Sequence, residues 1–131
     1  MRLEDRQEFA LLKKHNIGVQ KKNQIQFNSG SETLKHRIAK TVVAHVGLQR
    51  GYKIASEVEV PGGEVDILLW TGMDRLNYAV ECETSPELKT LKDKQKRYVR
   101  GPIDDMLTVN VTDCPVNYLE AQEYVQEELG L

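Results

Sequence analysis

The run "YKIASEVEVPGGEVDILLW", residues 52–70, limits what this chain can become more than any other stretch. Two β-rich segments flank Pro61-Gly62-Gly63, and glycines in a tight turn accept positive φ without steric penalty. The expectation is a hairpin with Gly62-Gly63 at its centre, so that Pro61 faces Glu64, Val60 faces Val65 and Glu59 faces Asp66. Side chains alternate along a strand. Val58, Val60, Val65, Ile67 and Leu69 then share one face. Glu57, Glu59, Glu64 and Asp66 share the other, followed by Leu68 and Trp70. A slip of one residue would mix the two sets. A third segment, "NYAVECE" at 77–83, sorts likewise, with Tyr78, Val80 and Cys82 against Ala79, Glu81 and Glu83. If it lies beside the second strand, Asp66, Glu81 and Glu83 converge.

The rest of the chain frames these strands. Residues 2–14 read as a charged helix, and "NIGVQKKNQIQFNSGS" as an extended segment ending in a turn. Ser31 is a good N-cap for a helix running to about Gln49, with Leu34, Ile38, Val42 and Val46 at helical spacing. A second helix is expected over Pro86–Val99, with Leu88, Leu91, Gln95 and Tyr98 or Val99 inward. "GPIDD" interrupts, "MLTVNV" is a fourth strand, and "PVNYLEAQEYVQEELGL" closes as a helix. The order α-β-β-β-α-β-α implies an α/β or α+β fold, a mixed four-stranded sheet with helices on both faces. Residues 1–30 form an appendage, and 31–131 one domain with one modest core.

No apolar run approaches the ~20 residues of a membrane span, and the N-terminus lacks an apolar signal core. The expected location is the cytoplasm. Cys82 and Cys114 read as small buried residues of a reducing compartment. From Gly101 onward there are seven acidic residues and no lysine or arginine, so the first hundred residues carry 18 basic against 13 acidic side chains. That imbalance suits a nucleic-acid surface.

Carboxylates crowded within a few ångströms repel, and a cation relieves the repulsion. Oxygen donors without a cysteine or histidine cluster suit Mg²⁺ or Mn²⁺ better than zinc. The plain alternative is a wet antiparallel face paired with Lys or Arg. Leu68 and Trp70 on the same face argue that its far end is covered.

An acidic residue on the second strand followed by Glu-x-Glu on the third, in this order of elements, resembles the PD-(D/E)XK nuclease superfamily, whose core is restriction-endonuclease-like. The resemblance covers about Ser31 to Thr112. It implies a metal ligand at Asp66 and another at Glu81. Glu83 stands where the superfamily usually has lysine, and some restriction endonucleases of the superfamily also carry Glu-x-Glu there. A narrower similarity is to the competence-protein (CoiA-like) branch, through "HRIAK", "SEVEV", "VDILL", "ECETS" and "KQKRY". Several uncharacterised archaeal proteins share the shape. His36 and Lys40 lie one helical turn apart and share a face. If that face meets the acidic sheet face, the similarity implies that Lys40 replaces the missing lysine and that His36 touches the scissile phosphate or a metal-bound water.

The implied activity is divalent-metal-dependent hydrolysis of DNA phosphodiesters. Glu57, with Glu59 as a second candidate, would complete the shell of a second ion, Glu83 would act as general base or as a water-mediated ligand, and Lys40 or Lys96 would stabilise developing charge. The helix "ELKTLKDKQKRYVR" carries six basic residues against two acidic, and Lys89, Lys92, Lys96, Arg97 and Arg100 are candidate phosphate contacts. Tyr98 is a weaker one. The basic N-terminal segment would extend that surface, exchange as an arm in a homodimer, or simply pack on the core. Two rivals stand beside the nuclease: an inactive nuclease-like module that binds nucleic acid, and a protein-interaction domain.

Overall fold

Asn117, Thr33 and the glycine-bearing turns divide the chain into eight elements, seen in a computed structural model that describes residues 2–19, 22–27, 32–72, 74–84 and 87–131. They are α1 (Leu3–Lys14), α2 (Leu34–Gln49), β1 (Lys53–Val60), β2 (Gly63–Trp70), β3 (Leu76–Glu83), α3 (Leu88–Tyr98), β4 (Ile103–Asn110) and α4 (Tyr118–Leu129). The sheet order is β1-β2-β3-β4; β1–β2 and β2–β3 are antiparallel and β3–β4 is parallel. This is the expected α+β order with a mixed four-stranded sheet.

One face of the sheet packs Ile54, Ile67, Leu69, Val80, Cys82 and Val109 against α2 and α4. The other packs Ala55, Val58, Val65, Leu68, Trp70 and Ala79 beneath Ile17 and Tyr98. Both cysteines are buried free thiols. Among the described residues, no helix is long and apolar enough to cross a membrane.

The hairpin differs from expectation by two residues. Val60 pairs with Gly63, Glu59 with Glu64 and Val58 with Val65, so Pro61-Gly62 form the turn. The reason is on α3: a Cβ on Gly62 would lie 2.9 Å from the Arg97 carbonyl oxygen, and one on Gly63 would lie 2.9 Å from the Tyr98 hydroxyl. Both glycines allow the turn to press against the end of that helix.

The face sorting also differs. Val58, Val60 and Val65 pack with Leu68 and Trp70, whereas Ile67 and Leu69 join the opposite cluster. Glu57 has φ 51, left-handed backbone that breaks the pleat. The β1–β2 ladder runs from Lys53↔Trp70 to Val60↔Gly63 but omits Glu57 and Asp66, which stand opposite each other. Both strands change face at that level, so the observed ladder runs on in one register past it while the alternation is broken.

Boundaries shift where tertiary contacts override local signals. Thr33, not Ser31, caps α2, its hydroxyl accepting from the His36 amide; Ser31, the preceding "NSG" turn and Pro86 lie outside the described residues. β4 begins at Ile103, three residues before the expected Met106, because Leu76↔Ile103 opens the parallel ladder. Asp104 and Asp105 are exposed there, which an edge strand tolerates. On α3, Leu88 and Gln95 face solvent, and Tyr98 is the buried residue.

The N-terminal segment closes the opposite edge. Gly18 bridges to Glu59, the Asn23 amide donates to the Ile54 carbonyl at 2.7 Å, and the Gln26 amide donates to Ser56 Oγ at 2.5 Å. The segment thus blunts β1, an edge otherwise open to pairing. Glu8 anchors α1 above it, accepting from Trp70 Nε1 at 3.0 Å, Lys53 at 2.5 Å and Lys22 at 3.1 Å. Burial works against this carboxylate, but those donors outweigh it and hold its pKa below the usual value.

Candidate active site

The backbone pairing between β2 and β3 runs through Leu69↔Tyr78, Leu68↔Ala79 and Ile67↔Val80, and then stops. Beyond it, side chains take the vacated amides. The Cys82 amide donates to Asp66 Oδ2 at 2.8 Å, and the Asp66 amide donates to Glu81 Oε2 at 3.2 Å. Each carboxylate thus binds the opposite strand, and a buried amide needs such an acceptor. Asp66 and Glu81 therefore do converge, at the corner where the sheet opens.

The pair is electrostatically uncomfortable. Glu81 is buried, and that burial, reinforced by the neighbouring Asp66, raises its pKa to about 8. Lys94 works in the opposite sense. Its ammonium lies 3.5 Å from Glu81 Oε1 and donates a short hydrogen bond to Glu83 Oε1. Burial would lower the Lys94 pKa, but Glu83 and Glu81 outweigh it, and the value is raised. Glu83, the expected base, is thus tied to Lys94.

The sequence points to Lys40 or Lys96 for this place, and the structure brings Lys94 to it instead. It lies three residues after half-buried Leu91 and four before buried Tyr98, on the inner stripe of α3. Tyr98 secures the helix, its hydroxyl donating to the Glu64 carbonyl at 3.1 Å. It is a core residue whose contact is to the hairpin.

Lys40 is fully buried and serves a second network. Its ammonium donates to the Gln26 carbonyl at 3.0 Å, to Glu32 Oε1 at 2.7 Å, and in a shorter bond to Glu57 Oε1. All three protons are used, so Lys40 does not fill the place beside Asp66 and Glu81. Burial lowers its pKa, yet Glu32 and Glu57 prevail and raise it. Glu57 is pushed up to about 7, by burial first and then by a hydrogen bond with Glu64, against the pull of Lys40. Its carboxylate belongs to this network rather than to a metal shell shared with Asp66. Glu59 is exposed.

His36 precedes Lys40 by one turn of α2. Its Nε2 is enclosed and has no hydrogen-bond partner among the described residues, so it does not touch the acidic pair. Lys89, Lys92 and Lys96 are exposed and fall at i, i+3 and i+7, one stripe along α3. Lys96 is therefore a surface residue. Arg97 donates to the Gly62 carbonyl at 3.2 Å and sits 5.4 Å from the centre of the Tyr98 ring; Arg100 donates weakly to the Lys96 carbonyl at 3.4 Å.

No three His, Cys, Asp or Glu side chains are grouped as a metal cage among the described residues. Mg²⁺ does not require one; it is commonly held by one or two carboxylates with water and substrate phosphate completing the shell. Two hard-oxygen donors that disfavour joint ionisation fit such an ion. No family model and no solved structure matches this chain.

Proposed function

We propose that the chain is a divalent-metal-dependent nuclease acting on DNA, a small relative of the PD-(D/E)XK nucleases. The observation that carries this reading is the meeting of Asp66 and Glu81 from adjacent strands beside a lysine on a basic helix. Asp66 and Glu81 would hold the ion, which supplies charge neutralisation at the phosphate and activation of water. Lys94 would exchange its bond to Glu83 for the scissile phosphate and stabilise the charge that develops there. Glu83, released, would then accept a proton. Lys89, Lys92 and Lys96 would hold the flanking phosphates without reading sequence.

The rival of an inactive nucleic-acid-binding module draws on one observation, that Lys94 already compensates Glu81 and Glu83. Titration of Mn²⁺ or Mg²⁺, followed by thermal melting and by cleavage of labelled DNA, decides between them. At pH 9 in EDTA, above the Glu81 pKa of about 8, Asp66→Asn should melt no lower than wild type, because it removes a repulsive charge yet keeps an acceptor for the Cys82 amide. Millimolar metal should then raise the melting temperature of wild type alone. Cleavage should disappear in Asp66→Asn and Glu81→Gln while DNA binding persists. Binding without cleavage in wild type would establish the inactive module, and a steep loss of stability in Asp66→Asn would make Asp66 a structural residue.

A further inference from the structure

Away from the acidic corner, a groove of about 390 Å³ lies between the N-terminal half of α2 and the start of α4. Its walls are apolar, chiefly Phe27, Leu34, Ile38, Val116 and Tyr118. Leu34 and Val116 are 75% and 67% exposed. Leu34, at helical spacing with Ile38 and Val42, forms the groove's rim.

Arg37 is the charged residue of this wall. Its guanidinium lies 5.5 Å from the centre of the Phe27 ring. Its Nε is enclosed without a hydrogen-bond partner, and no carboxylate lies within ion-pair distance of it among the described residues. Lys40 flanks the same ring at 5.6 Å, but its ammonium is saturated by Glu32, Glu57 and the Gln26 carbonyl. The Thr41 hydroxyl proton is given to the Arg37 carbonyl at 2.8 Å. The Tyr118 hydroxyl is paired with His45 Nδ1 at 3.0 Å, and Arg37 supplies the groove's positive charge at the edge of an apolar trough.

We propose that this groove is a binding site for a small amphipathic carboxylic acid, its alkyl or aryl body in the trough and its carboxylate on Arg37. Small-molecule sites occupy roughly 300–1,000 Å³, are mostly apolar and carry a few oriented polar groups. A guanidinium matches a carboxylate in a two-bond fork. A phosphate monoester brings nearly two charges and meets one cation. A nucleotide's sugar hydroxyls would face hydrocarbon, which disfavours them. The proposal is independent of the nuclease reading, and Asp66→Asn should leave it untouched.

The test titrates isotope-labelled full-length protein with 4-phenylbutyrate and, separately, with 4-phenylbutanol. The acid should bind at least tenfold more tightly than the alcohol, with amide shifts centred on Arg37, Ile38 and Val116. Arg37→Gln should lower the acid's affinity to that of the alcohol. Val116→Asp, at an exposed wall position, should remove both without altering the circular dichroism. Equal affinity of acid and alcohol for wild type, undiminished acid binding in Arg37→Gln, or shifts confined elsewhere would overturn the proposal. So would self-association of wild type that Val116→Asp abolishes, which would make the groove a contact between copies.

Discussion

A carboxylate inside a strand is tolerated here because a neighbouring strand has left an amide without a partner. Asp66 and Glu81 fill those vacancies, and their mutual repulsion is the cost. The consequence for stability has a definite sign. The Glu81 pKa of about 8 in the folded chain lies above the ~4.3 of an unfolded glutamate. Between those values the folded state binds the extra proton, so the contribution of Glu81 is greatest below the lower value and is lost as pH rises through about 8. Glu57, at about 7, acts in the same sense. In metal-free buffer, the wild-type melting temperature should therefore fall from pH 5 to pH 9. The fall should be shallower in Glu81→Gln; equal slopes would show that Glu81 ionises normally. Lys40→Met should cost about 3–5 kcal/mol in urea denaturation, since it strips the ammonium from two enclosed carboxylates. The loss should be larger at pH 8 than at pH 6, because below about 7 Glu57 takes up a proton. The acidic residues were legible as a cluster because glutamate and aspartate are rare in runs such as "VDILLW" and "AVECE". Lys94 was not, because six basic residues crowd the short run from Leu88 to Arg100 and only packing distinguishes the one that turns inward.

At the scale of elements, the order of helices and strands was readable from periodicity, and the hairpin from its glycines. The register and faces were not. Strict alternation predicts one face for Val58, Val65, Ile67 and Leu69, but a single left-handed residue, Glu57, turns both strands over at its level. Nothing in glutamate's side chain announces a positive φ; Lys40 and Glu64 hold it there from outside the strand. The turn itself is set by α3, which gives a matched pair of substitutions. Gly51 and Gly62 both have positive φ, 84 and 105, but a Cβ on Gly51 meets nothing within 4 Å, whereas one on Gly62 meets the Arg97 backbone at 2.9 Å. Gly51→Ala should show backbone strain alone, on the order of 1 kcal/mol. Gly62→Ala should lose more in the same urea titration. It should also shift the amide resonances of Lys94 and Tyr98, because the turn and the end of α3 bear on each other. Equal losses at the two glycines would mean that α3 yields freely and does not fix the site.

Across the whole molecule, the helices separate charge as well as core. The acidic α4 packs with α2 on one face of the sheet, while α3 lies over the other, secured through Tyr98. The seven acidic residues after Gly101 include those of α4, so much of the tail's charge is carried away from the lysine stripe. A chain of net charge −2 can in this way present a positive surface to a polyanion. The strength of that surface is measurable apart from any chemistry. Each phosphate neutralised on duplex DNA contributes about 0.9 to the slope of log K against log salt. Replacing Lys89, Lys92 and Lys96 together by glutamine should flatten that slope by up to about 3 units and weaken binding alike for unrelated sequences. Asp66→Asn and Glu81→Gln should keep the full slope, since neither touches the stripe. If the triple variant binds DNA with an unchanged slope, α3 is not the contact surface, and the corner beside Lys94 loses the helix that would deliver a phosphate to it.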